Sequence, residues 1–131
     1  LYHLCRSYSH QIPSASLTGS QRDLQRVTHV MNWVKVHYPE PLSLETAADS
    51  LALSKEYFCR LFKKYTGQTF LEYLNDVRTM HLYEDLQNSD ETITVLMEKN
   101  GLSNYKIFMR TFKKLYGSTP QKMRSNRIRH V

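Results

Sequence analysis

Two sets of basic side chains, fifty positions apart, carry the chemistry this sequence offers. Arg60, Lys63 and Lys64 recur as Arg110, Lys113 and Lys114, each set inside the same frame. The frame reads Phe58-Cys59-Arg60-Leu61-Phe62-Lys63-Lys64-Tyr65-Thr66-Gly67-Gln68-Thr69. It returns as Phe108-Met109-Arg110-Thr111-Phe112-Lys113-Lys114-Leu115-Tyr116-Gly117-Ser118-Thr119, with seven identities at one constant offset. Cations fixed at matched positions serve to hold an anionic, oxygen-rich partner. Nothing else in the chain competes for a chemical role. There is no nucleophile–base pair, no glycine-rich phosphate loop and no metal-ligand spacing, and His3, Cys5 and His10 find no completing ligand set. An enzyme is therefore not expected, nor is a cofactor or a metal.

What positions the cations is helical periodicity. Phe58, Leu61, Phe62 and Tyr65 follow i, i+3, i+4, i+7, the stripe of one apolar helix face, and Arg60, Lys63 and Lys64 fall off it. Gly67 stands just past the last periodic residue, where a left-handed stop suits glycine. The unit is a short helix, apolar on one side and cationic on the other, and the repeat makes two of them.

The 131 residues suit one compact domain or two very small ones. Few glycines and prolines and scarce β-branched runs predict an all-α chain. Two cysteines without a CxxC pairing argue against a disulfide scaffold and fit a reducing cytosol. No apolar run approaches membrane-spanning length, so no membrane is expected. The chain begins at Leu1, as a piece of a longer protein would. Charge is unevenly placed. Residues 1–98 hold nine Lys/Arg against twelve Asp/Glu, whereas 99–131 hold nine Lys/Arg and no acid, from −3 to +9. A polyanion gripped mainly by the last quarter fits that split, as does a solvated basic tail.

In chain order, Leu1, Leu4, Cys5 and Tyr8 could end an earlier helix, and the first 20 residues read as a linker or the end of a missing N-terminal domain. A helix follows over 21–38, with Val27, Val30, Met31 and Val34 as its stripe, flanked by Leu24 and Trp33, and Pro39 and Pro41 beyond. Ser43 caps a short helix in which Ala47 and Ala48 permit a close crossing. After Leu51-Ala52-Leu53, Ser54 caps the helix of the first repeat, which gives a helix-turn-helix pattern. Thr69 and Glu72 form a capping box opening a long helix over 70–87, with Leu71, Leu74, Val77 and Leu82 on its buried side. A second short helix starts after Thr92 and ends at Asn100-Gly101, and Ser103 is expected to cap the helix of the second repeat. Thr119-Pro120 starts a final helix to Arg124, and the basic end with Arg124, Arg127 and Arg129 frays.

These residues resemble the AraC/XylS family of bacterial transcription regulators. The match runs through Ser43-Leu44-Glu45 with Ala48, Ser54 to Gly67, Glu72-Tyr73-Leu74, Arg78, Ile93, Gly101, and Phe108 to Pro120 with Arg124, covering about residues 22–125. The resemblance implies two helix-turn-helix subdomains, 21–69 and 88–131, joined by a long linker helix, about seven helices in all. Recognition helices at about 54–65 and 104–116 would enter successive major grooves of double-stranded promoter DNA, about 34 Å apart. It implies a cytoplasmic, nucleoid-associated regulator, more commonly an activator, with RNA polymerase as a candidate partner and effector binding and dimerisation in a missing N-terminal domain. Met97 stands where an alanine is usual, Leu102 where a phenylalanine is usual, and Asp85 where an apolar linker residue is common.

By the same resemblance, base edges would be met by Glu56, Cys59 and Arg60 in the first unit and by Tyr105, Lys106, Ile107 and Arg110 in the second. Arginine can pair bidentately with guanine, glutamate can accept from cytosine, and isoleucine can touch a thymine methyl. Lys63, Lys64, Lys113 and Lys114 lie later on the helices and suit phosphates, with Lys55 and Asn104 and the helix starts at Ser54 and Ser103. Arg60 and Arg110 could instead pair within the domain, with Glu56 or Glu45, and Tyr57 and Tyr105 fit either a partly buried staple or a base reader. The alternative function is a helical protein-interaction module that binds no DNA, which would turn the lysine pairs inward.

Overall fold

Side-chain caps set the helix boundaries in the computed structural model, which describes residues 18–129. Seven helices and no strand occur among the described residues: α1 (Gly19–His37), α2 (Leu44–Ser50), α3 (Lys55–Thr66), α4 (Phe70–Asn88), α5 (Ile93–Lys99), α6 (Tyr105–Tyr116) and α7 (Pro120–Arg129). The all-α expectation stands. α1 starts earlier than expected. Thr18 accepts from the Gln21 amide at 3.1 Å while its own N–H donates to the Gln21 side chain at 2.8 Å. That capping box makes Gly19 and Ser20 helical rather than linker. The helix imagined around Leu1 to Tyr8 lies outside the described residues. Ser43 and Ser54 cap α2 and α3 as expected, and Thr92 caps α5. Thr69 and Glu72 close the expected box at α4, with bonds of 3.1 and 2.8 Å. Gly67 and Gly117 end α3 and α6 in the left-handed region, at φ +77° and +74°.

Two apolar cores form, and α4 belongs to both. The first gathers Val27, Val30 and Val34 of α1, Ala47 and Ala48 of α2, and Phe58, Leu61 and Phe62 of α3. Phe70, Tyr73, Leu74 and Val77 close it from the first half of α4. Its centre is an aromatic cluster, with Phe62 and Phe70 edge to face at 5.8 Å. The second core takes Leu82 and Leu86 from the last half of α4, Leu96 and Met97 from α5, Leu102, and Phe108 and Phe112 from α6. The boundary between the units therefore runs inside α4, between Val77 and Leu82, and not at its ends. α4 is a shared wall, which explains why it is apolar on more than one side.

Three local expectations need correction. Leu71 is half exposed, at 51%. Phe70, Tyr73, Leu74 and Val77 supply the i, i+3, i+4, i+7 stripe of that half-helix, and Leu71 lies about 100° round from Phe70. α7 runs on to Arg129, and Arg124 is not frayed. Its guanidinium donates to the Glu91 carbonyl at 2.6 Å and the Ser89 carbonyl at 2.9 Å, holding the α4–α5 loop. Ser103 does not cap α6. The Asn104 side chain does, accepting from the Ile107 amide at 3.0 Å.

The last correction has a simple origin. In the first unit the Leu53 amide donates to the Ala48 carbonyl at 3.0 Å, and in the second the Leu102 amide donates to Met97 at 2.8 Å. These turn bonds match at an offset of 49, whereas the recognition helices match at 50. One extra residue, Ser103, has been let into the second turn. The departures at Met97 and Leu102 pack without a gap in role, since both are buried in the second core. The polar Asp85 on α4 is answered by buried Asn100, whose side chain donates to it at 3.0 Å and to the Leu96 carbonyl at 2.8 Å.

Candidate nucleic-acid interface

Burying Phe58, Leu61 and Phe62 fixes which way α3 faces, and everything polar on it follows. Glu56, Cys59, Arg60, Lys63 and Lys64 are all exposed. α6 repeats the arrangement with Phe108 and Phe112 buried. Tyr105, Lys106, Ile107, Arg110, Lys113 and Lys114 lie on its exposed side. Lys55, Ser54, Ser103 and Asn104 are exposed at the helix starts. The structure thus brings the sequence-selected residues into two outward strips, one on each recognition helix. The lysine pairs point away from the cores in both units.

The strips differ in what else engages their side chains. Lys55 Nζ donates to Glu45 at 3.3 Å between two solvent-exposed groups, and the backbone hydrogen bond of Glu45, followed by this contact, lowers the Glu45 pKa. Such a surface pair adds little to stability and gives way to a better anion at small cost. The Arg60 guanidinium lies 5.9 Å from the Tyr57 ring centre, and the Lys64 ammonium 5.3 Å from that of Tyr65. Neither Arg60 nor Arg110 forms an ion pair with a carboxylate among the described residues. The two tyrosines part company. Tyr57 is half-buried and its hydroxyl donates to Asp23 at 3.1 Å, tying α3 to α1, so it is a staple. That bond to a carboxylate raises the Tyr57 pKa. Tyr105 is 52% exposed and free to meet a partner.

Lys114 is the member of the strips most engaged inside the fold. Its ammonium donates to Asp76 Oδ1 at 2.9 Å, and the other carboxylate oxygen accepts from Gln68 Nε2 at 2.7 Å. Asp76, on α4, and Arg110 line the same crevice between α4 and α6. Sequence reasoning gave no sign of this contact, because the two partners are far apart along the chain and share no motif. Arg78, which the sequence flagged only by resemblance, proves to be a structural clamp. Its Nε donates to the Tyr38 carbonyl and Nη2 to the Glu40 carbonyl, both at 2.6 Å. Burial lowers its pKa from the usual arginine value. No group of His, Cys, Asp and Glu able to hold a metal occurs among the described residues, and no helix there is long and apolar enough to cross a membrane.

Comparison with known proteins gives this geometry its family. The profile of a helix-turn-helix domain family matches residues 47–126, more than half of the chain. The transcriptional activator RhaS of Escherichia fergusonii is 31% identical over 111 residues, which cover 85% of this chain and 40% of RhaS. The chain spans less than half the length of the curated relatives it matches. Among solved structures, a Chromobacterium violaceum regulator described as having an AraC-type DNA-binding domain superposes with a TM-score of 0.69. It is 25% identical, with 79% of this chain and 93% of that one covered. The DNA-binding domain of AdpA, solved with a target DNA, gives a TM-score of 0.68 at 25% identity, covering 76% and 90%. With two helix-turn-helix units on a shared helix and a matching family profile, the chain belongs to the AraC-type helix-turn-helix family of DNA-binding transcription-regulator domains.

Proposed function

We propose that the domain binds a bipartite site in double-stranded DNA by inserting α3 and α6 into successive major grooves. The observation that carries this is the exposed strip of α6: Tyr105, Lys106, Ile107, Arg110 and Lys113 stand outward on a helix with no acidic residue, above a face closed by Phe108 and Phe112. Arg110 and Arg60, each without a carboxylate partner among the described residues, are the guanine readers, with Glu56, Cys59, Lys106, Ile107 and Tyr105 meeting neighbouring base edges. Lys63, Lys64 and Lys113 hold phosphates, with Lys55, Ser54, Ser103 and Asn104 at the helix starts; Lys114 reaches a phosphate only by leaving Asp76. The 19 residues of α4 make a rod of about 28 Å, close to the pitch between successive grooves. Sharing both cores keeps that rod from hinging, which lowers the ordering cost of binding. In the longer protein this domain would act in the cytoplasm as the DNA-binding part of a regulator, more commonly an activator, with RNA polymerase as a partner.

Selection of bound sequences from random duplex DNA tests the proposal, with affinity for the winner followed across salt concentrations. Enrichment of two short blocks about one helical turn apart is the expected result. A single enriched block would restrict base reading to one unit. No enrichment with a flat salt response would remove DNA from the account and leave the interaction module.

A further inference from the structure

Two of the contacts that cross between the units lie on opposite flanks of α4. The first is the chain Gln68–Asp76–Lys114, in which one carboxylate of α4 receives the α3–α4 turn on one oxygen and the second recognition helix on the other, at 2.7 and 2.9 Å. The Asp76 side chain is only 14% exposed, so both bonds are partly shielded from solvent. The second contact joins the turn of the second unit to the α1–α2 loop of the first. Arg78 gathers that loop by its Tyr38 and Glu40 carbonyls, and Gly101 rests against the gathered surface. A Cβ on Gly101 would stand 3.0 Å from each of Arg78 Nε, the Tyr38 carbonyl and the Pro39 carbonyl, and its φ of +79° already favours glycine. Asp76 and Arg78 are two positions apart, which places them about 200° apart around the helix. One strut on each flank opposes rocking of either unit about α4.

We propose that Asp76–Lys114 and Gly101–Arg78 form a brace that fixes the mutual orientation of α3 and α6 and so determines which spacing of a bipartite DNA site is accepted. This rests on the DNA-binding reading above and deepens it. Asp76 lines the same crevice as Arg110, and a carboxylate there opposes attraction to a polyanion. Its presence is accounted for by what it orients. Lys114 on this view is a positioning residue, and Lys113 next to it supplies the phosphate contact. A loose pair of units would tolerate several spacings with low affinity for each, because only a fraction of molecules would hold the competent arrangement at any time.

The test uses the full chain as wild type, Asp76→Asn and Gly101→Ala. Asp76→Asn is the milder variant, since it removes one charge and leaves both cores untouched. Each protein is titrated with the selected duplex and with duplexes carrying one or two base pairs inserted between the blocks. The wild type is expected to favour the original spacing. In Asp76→Asn that preference should fall about tenfold if the competent arrangement drops to about a tenth of the population. Binding to random duplex should tighten slightly at low salt through the lost negative charge. An unchanged spacing preference overturns the proposal. Orientation is read separately without DNA, from dipolar distances between spin labels at Cys59 and at Lys113→Cys in a Cys5→Ser background. A distance distribution broadened by Asp76→Asn supports the brace, and one as narrow as wild type overturns it. A wild type that selects no duplex would overturn the DNA reading and the spacing role together, while the label distances would still decide the brace.

Discussion

The two helix-turn-helix units share a plan but differ in their turns, their support and their charge. In the first turn the left-handed residue is Ala52, at φ +57°, followed by Leu53 and the Ser54 cap. In the second it is Gly101, followed by Leu102, the extra Ser103 and the Asn104 cap. The first unit has α1 laid across it, with Val27, Val30 and Val34 fully in the core. Among the described side chains, α7 adds Met123 to the second core as a partly buried residue at its margin. Charge runs the other way, because α3 carries Glu56 among its cations whereas α6 has no acid. The better supported unit is thus the less cationic one. Packing support and positive charge lie in different halves of one small fold, joined by a helix that belongs to both.

The strongest way to break that comparison is to cut into the cores. Phe62→Ala and Phe112→Ala remove equivalent, fully buried rings, and each should cost about 3–5 kcal/mol. Their consequences should differ. With α1 and half of α4 still packed, Phe112→Ala is expected to strip amide protection from α5 to α7 while α1 to α3 stay protected, as a locally opening segment does. Hydrogen exchange followed by mass spectrometry would show it. Protection lost evenly along the chain would mean that the cores are one cooperative unit and the contrast in support is empty.

Next in size is the contrast in grip. Arg110→Ala should weaken binding to the selected duplex by about 1–3 kcal/mol and relax the preference at one position. Arg60→Ala, beside Glu56 and over the Tyr57 ring, should cost less. Titrations on selected and random duplexes decide between base reading and general attraction, since equal weakening on both would place the Arg110 charge on phosphate. Lys113→Ala should weaken all sequences alike and reduce the salt slope by about one unit.

Much of this was legible before any coordinates, and the reasons are local. The apolar stripes of α3 and α6, the glycine stops at Gly67 and Gly117 and the Thr69 capping box are all written within one or two helical turns. The box at Thr18 and Gln21 was equally legible, and it was obscured by the serine-rich stretch ahead of it. Contacts between distant residues left no trace. Asp76 with Lys114, Asp85 with Asn100 and Arg124 with the α4–α5 loop join segments whose separation carries no periodicity. Leu71 misled because a shared helix lacks a single polar face. The site residues were found as positions, but which of them the fold already uses could be seen only in three dimensions.

The extra residue in the second turn makes a sharper prediction. If Asn104 and not Ser103 satisfies the first turn of α6, then Asn104→Ala should cost about 1 kcal/mol by thermal or denaturant unfolding, and Ser103→Ala within about 0.5 kcal/mol of nothing. Equal losses would mean that Ser103 and Asn104 share the cap of α6.

The smallest effect tests why one turn uses glycine and the other does not. A non-glycine residue in the left-handed region is disfavoured by roughly 1–2 kcal/mol, so Ala52→Gly relieves strain in the folded state. Glycine also gives the unfolded chain more freedom, which returns roughly 0.5–1 kcal/mol. The net should be a gain of about 0.5 kcal/mol, read as a small rise in denaturant midpoint at unchanged slope. Gly101 has no such freedom, because the carbonyls of Tyr38 and Pro39 occupy the space a side chain would need. A loss of stability in Ala52→Gly would show that the alanine methyl makes a packing contribution larger than its strain, and the two turns would then differ in packing and not in tolerance.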